Sequence, residues 1–106
     1  MSDISSEATT GAINELRLSG VLMSRMQSHQ YASGASCLKG LLRCPSRGGK
    51  SSFHIGVTIW INQDNSPEVQ HAMELQDNAS VVVTGSLSIN YSNGRNYIDV
   101  NATTIE

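Results

Sequence analysis

The sequence predicts a small all-β domain carrying one short helix. Three observations point there. Apolar residues alternate with polar ones at period 2 in five separate segments, the signature of half-buried strands. Glycine, proline and asparagine punctuate those segments, and Asn93-Gly94 is a strong signal for a two-residue hairpin turn because both residues tolerate positive φ. With 106 residues there is material for one core, and the 15% charged and 39% hydrophobic content suits a compact polar domain better than a disordered chain.

Met1 to Ala12 lacks periodicity and is expected to be a disordered tail, with the domain spanning residues 13–106. In the first strand Leu16, Leu18 and Leu22 face one side, Arg17, Ser19, Val21 and Met23 the other, and Gly20 allows a bend. Gln27 to Ser36 reads as a polar loop. Ser36 to Cys44 alternates next, with Leu38, Gly40 and Leu42 inward and Cys37, Lys39, Leu41 and Arg43 outward. Pro45 to Ser52 is a glycine-containing loop charged by Arg47 and Lys50. The third strand, Phe53 to Asn62, sets Phe53, Ile55, Val57, Ile59 and Ile61 against His54, Thr58 and Trp60.

Ser66-Pro67-Glu68 opens a helix, with a hydroxyl cap, proline in the first turn and an acid at the positive end of the dipole. The helix is expected to run to about Gln76 and to bury Val69, Ala72 and Met73. The fourth strand, Ala79 to Tyr91, places Val81, Val83, Leu87 and Ile89 inward with a bend at Gly85. The fifth, Arg95 to Ile105, places Ile98, Val100 and Ala102 inward against Tyr97, Asp99 and Asn101. The order β β β α β β fits a five-stranded OB-fold Greek-key barrel with one short helix between strands 3 and 4. A small sandwich is the rival, but it wants about seven strands.

Charge is unevenly spread. Leu16 to Gln63 carries six basic residues and no acid, whereas six acids and only Arg95 among the bases follow from Asp64 onward. A local basic surface can hold phosphates even on a chain of net charge −2. The beginning has neither a basic n-region nor an apolar h-region, and no stretch suits a membrane helix, so a cytoplasmic protein without membrane contact is expected. Cys37 and Cys44 share one strand about 23 Å apart at 3.3 Å per residue, too far to bridge. His29, His54 and His71 lack metal spacing, no nucleotide-binding or nucleophile motif is present, and neither an enzyme nor a cofactor is expected.

Asn14-Glu15-Leu16-Arg17-Leu18-Ser19-Gly20, Phe53-His54 before an apolar run, Glu68-Val69, Val81-Val82-Val83-Thr84-Gly85-Ser86-Leu87 and the Asn93-Gly94 hairpin with Tyr97 together resemble bacterial-type single-stranded DNA-binding proteins. The long linker and acidic tail of members that recruit other proteins are not expected here, and the chain is similar to the short tailless relatives such as the primosomal replication protein. The resemblance implies non-sequence-specific binding of single-stranded DNA in replication, recombination or repair. It also implies homodimers or homotetramers built on the first strand, with Arg17, Ser19, Val21 and His54 as interface candidates.

Such binding needs aromatic faces for bases and cations for the backbone. Trp60, opposite the core side of its strand, is the leading stacking candidate, with a dimer contact or barrel lid as the alternative. Phe53 is open between the core, where parity puts it, and the DNA face, where the resemblance puts it. Tyr91 and Tyr97 flank the Asn93-Gly94 turn, where with Arg95 they either clamp a strand or pack on each other. Lys39, Arg43, Arg47 and Lys50 are the candidate phosphate contacts. A different reading is a tailless protein-interaction subunit of a replication complex that binds DNA weakly.

Overall fold

The computed structural model describes residues 13–106. The disordered tail expected over residues 1–12 lies outside that range. Six strands and one helix follow in the order β1 (Leu16–Leu22), β2 (Gln27–Gln30), β3 (Ser36–Pro45), β4 (Ser52–Trp60), α1 (Ser66–Glu74), β5 (Ser80–Ser92) and β6 (Arg95–Ile105). The sheet order β1-β5-β6-β4-β3-β2 is closed into a ring by a β1–β3 pairing, and the β4–β6 pairing is parallel while the rest are antiparallel. This is the expected OB barrel, lengthened by one strand.

The added strand, β2, lies within the segment expected to be a loop. Its residues Gln27, Ser28, His29 and Gln30 are all exposed, so no alternation marks them, and they pair with Lys39, Leu38, Cys37 and Ser36 through the backbone. Tyr31 N–H donates to the Ala35 carbonyl at 2.8 Å and Gly34, at φ +95°, closes the turn.

The core holds Leu22, Leu38, Leu42, Val57, Ile59, Val81, Val83, Val100 and Ile105, with Val69 and Ala72 of α1 plugging one side. Most inward residues of the alternation are there. Leu87, Ile89 and Ile98 are not: they are 44%, 70% and 57% exposed, because the outer half of the β5–β6 hairpin runs past the barrel and has nothing to pack against. Phe53 and Ile61 are exposed for the same reason, at the two ends of the third predicted strand. Met73 also points to solvent, so the buried stripe of α1 is Val69 and Ala72 alone. The helix cap is Asn65 rather than Ser66, and its side chain makes no cap hydrogen bond.

Cys37 keeps its expected place on the outward face of β3 but is fully buried there, with His29 of β2 and Trp60 of β4 as its register partners. Both cysteines are free and buried, and burial raises the Cys44 thiol above its ordinary value. Gly20 and Gly85 make the barrel's tight crossings. A β-carbon at Gly20 would sit 2.5 Å from the Arg43 carbonyl oxygen, where β1 passes over β3. One at Gly85 would collide with the Asn101 backbone, at the register shift between Thr84 and Gly85. Asn93 and Gly94 have φ of 53° and 76°, as a type I′ turn requires.

Candidate nucleic-acid interface

Unbroken register across three strands gathers the site. In β3–β4, Cys37 faces Trp60, Lys39 faces Thr58, Leu41 faces Gly56 and Arg43 faces His54. The β4–β6 ladder aligns Gly56 with Asp99 and Thr58 with Asn101, and β5 adds Ser86, Ser88 and Asn90 opposite Asn101, Asp99 and Tyr97. Side chains alternate along a strand, so these residues share the outer face of the sheet.

A groove of about 720 Å³ lies on that face, lined by Tyr31, Trp60, Tyr91 and Tyr97 together with Lys39, Thr58, Ser88, Asn90, Asp99 and Asn101. Trp60 is 43% exposed, and its ring lies 5.7 Å from that of Tyr31 at an interplanar angle of 36°. The backbone around Trp60 is anchored by Asn65, whose amide donates to the Trp60 carbonyl at 2.6 Å while its oxygen accepts from Asn62 N–H at 3.0 Å. That use of the Asn65 side chain leaves it unavailable as a helix cap. Lys39 lies over the Tyr31 ring at 5.8 Å. A side-chain hydrogen bond with Tyr31 holds the Lys39 ammonium above the ordinary lysine value, against the opposing effect of partial burial, and Asp99 adds in the same direction. Asp99 accepts a hydrogen bond from the Asn90 amide. Its other oxygen faces Gly56, where any β-carbon would collide with it.

Of the sequence candidates, Trp60, Tyr91, Tyr97 and Lys39 come together in the groove. Arg95 occupies the same face of β6 two residues before Tyr97, at the exposed hairpin tip. Arg43 lies four residues along β3 from Lys39, about 13 Å at 3.3 Å per residue. It lines a second, shallower depression with Val21, Gly49 and Lys50. The loop bearing Arg47 and Lys50 is a closed turn: Ser46 N–H donates to the Ser51 carbonyl at 2.8 Å and Gly49 N–H to the Ser46 carbonyl at 2.7 Å. Phe53 does not join the groove. Every residue from Ser52 to Trp60 stays in register with β3, so no bulge turns Phe53 over, and it remains on the side of Ile55 and Val57, 40% exposed beyond the barrel's end.

Among the interface candidates, Val21 faces Arg43 and Arg43 faces His54, which puts all three in one row across β1, β3 and β4. Arg17 and Ser19 continue that face of β1. Tyr31, which the sequence offered as a stacking residue in a polar loop, follows the end of β2 and lines the groove, whereas the polar lining Thr58, Ser88, Asn90, Asp99 and Asn101 was passed over. The signal for Asp99 and Asn101 was present, since they alternate with Tyr97.

A closed barrel of six strands with one helix between β4 and β5 defines an OB fold. The solved structures with this fold include the single-stranded DNA-binding protein of Thermus aquaticus, with TM-score 0.68 and 22% identity over 91% of this chain. The chain spans 40% of the length of that protein. The SSB domain of a Synechococcus protein matches with TM-score 0.68 and 16% identity, over 89% of this chain and 94% of the domain. The dimeric N-terminal domain of PriB from Thermoanaerobacter tencongensis matches with TM-score 0.63 and 18% identity, over 88% and 93%. No family model and no curated protein sequence matches the chain. Among the described residues, no helix is long and apolar enough to cross a membrane.

Proposed function

We propose that this protein binds single-stranded DNA along the outer face of β3, β4 and β6. The observation that carries the reading is the clustering of Tyr31, Trp60, Tyr91 and Tyr97 around one groove with Lys39 among them. Bases stack on the aromatic faces, and stacking tolerates any base because every base has a π-face. Phosphates run from Lys39 toward Arg43, Arg47 and Lys50, with Arg95 and Tyr97 acting at the hairpin tip. Protection or presentation of single strands in replication, recombination or repair is the corresponding role, in the cytoplasm and without enzymatic activity. Titration of Trp60 fluorescence with a mixed-sequence single strand tests it. Quenching that reverses on adding salt is expected, and an unchanged signal together with flat anisotropy of a labelled strand overturns it.

The protein self-associates in this reading. Among the described residues β1 meets β3 only at Val21 and Leu22 and nothing pairs with the backbone of Leu16 to Gly20 on that side, an edge that a second copy can cover using Arg17, Ser19 and Val21. His54 adjoins the same row. Light scattering reads whether the product is a homodimer or a homotetramer. A second reading, docking onto a replication protein with weak DNA binding, is favoured by one observation: the apolar side chains Leu87, Ile89 and Ile98 are exposed on the projecting hairpin outside the groove. Tight DNA binding with no partner retained on a pull-down excludes it.

A further inference from the structure

A carboxylate is an unexpected component of a surface meant for a polyanion. Asp99 nevertheless lines the groove, half-buried, beside Gly56 of β4 and Ser88 of β5 and two residues along β6 from Tyr97. It is fixed there. The Asn90 amide donates to one oxygen, and the other is turned toward Gly56, the position on the groove face where β4 offers no side chain to cover it. A carboxylate has about four acceptor sites, and the hydrogen bond from Asn90 uses one. Lys39, a donor only, lines the same groove and feels the Asp99 charge.

From this arrangement we infer that Asp99 makes the groove selective at one base position, favouring bases that carry an exocyclic amino group over thymine. The inference rests on the groove being the strand's path and departs from indifferent binding only at that position. The chemistry follows from the edges of the bases. Cytosine offers its N4 amino hydrogens beside the N3 and O2 acceptors, so a carboxylate and an ammonium are met together; adenine pairs an amino donor with an acceptor in the same way. Guanine presents two donors beside O6. Thymine presents a single N–H between two carbonyl oxygens, so a carboxylate that reaches it is also brought against oxygen. A buried polar group that one base satisfies and another leaves unpaired is the usual source of discrimination.

Oligodeoxycytidylate and oligothymidylate of equal length form the probe pair, at mildly alkaline pH where cytosine is neutral. Both are pyrimidines of equal charge, so phosphate contacts cancel in the ratio of affinities and stacking nearly does. The wild-type protein is expected to prefer oligodeoxycytidylate on the order of tenfold. In Asp99→Asn the loss of a negative charge raises both affinities, while the ratio falls toward one because the carboxamide also donates to the thymine carbonyls. Equal affinity in the wild type, which needs no variant to fold, overturns the inference and leaves the single-strand reading standing. A preference that survives Asp99→Asn unchanged also overturns it. Failure of both oligonucleotides to bind overturns the single-strand reading itself.

Discussion

The groove and the β3–β4 turn occupy two ends of one strand face and are built from opposite materials. The groove gathers four aromatic rings, hydroxyls and carboxamides around one lysine and one aspartate, so its charges balance. The turn end carries Arg43 and Lys50 beside Val21 and Pro45, with Arg47 in the turn itself, and has no aromatic side chain in its depression. Stacking and charge neutralisation are therefore held by different segments, about 13 Å apart between Lys39 and Arg43 at 3.3 Å per residue. The separation teaches that the two contributions can be removed one at a time, which a surface of interleaved arginines and aromatics would not permit.

The largest effect should come from the element that serves both regions. Leu42 is fully buried on β3 between the outward residues Leu41 and Arg43, and Leu42→Ala is expected to cost about 2 to 5 kcal/mol of stability, read by urea denaturation. Both regions should fail together on melting, since one strand carries them.

Trp60→Ala separates them. It should weaken single-strand binding by about 1 to 3 kcal/mol while leaving the slope of log K against log salt as it was, because stacking releases no counterions. The converse variant, Arg47→Ala with Lys50→Ala, should lower that slope by about 1.4, at roughly 0.7 per phosphate contact, with Trp60 quenching at saturation preserved. A full slope in the double variant would place the phosphates elsewhere.

The smallest effect concerns Lys39. Its raised value means that the stability contributed by the charged form is fully present below the ordinary lysine value and is lost only as the pH rises through the raised one. The groove therefore keeps its cation throughout the neutral range. Tyr31→Phe removes the hydrogen bond that is the main cause, and an NMR titration of the Lys39 side chain should show the midpoint moving down toward the ordinary value.

The barrel was legible because its strands obey a period of 2 where they are covered on one side. Val81, Val83 and Val100 alternate and are buried. The pattern misled where the same alternation continued beyond the barrel: Leu87, Ile89 and Ile98 are patterned as core but lie on a hairpin with no opposing layer. β2 was invisible for the reverse reason, since its four polar residues belong to the sheet through backbone hydrogen bonds alone. Within the site, Trp60, Tyr97 and Lys39 could be placed by parity. Phe53 could not, because deciding its face required the register with β3. Asp99 could be placed by the same parity beside Tyr97, but its partner Asn90 lies on another strand and only the register of β5 with β6 brings the two together.

The ring closes through residues distant in the chain. β1 pairs with β5, Leu16 opposite Gly85, and the Ile105 side chain is buried, while Glu106 exchanges two backbone hydrogen bonds of 2.9 Å with Val82. During synthesis β1 must therefore wait for β5, and β4 must wait for β6, before either is paired on both sides. Lys39 of β3 and Trp60 of β4 leave the ribosome before the strand that completes their groove, so the nascent chain spends that interval with Val57 and Ile59 uncovered. Closure comes only with β6, and the time between those two events is the period in which this barrel is most exposed to aggregation.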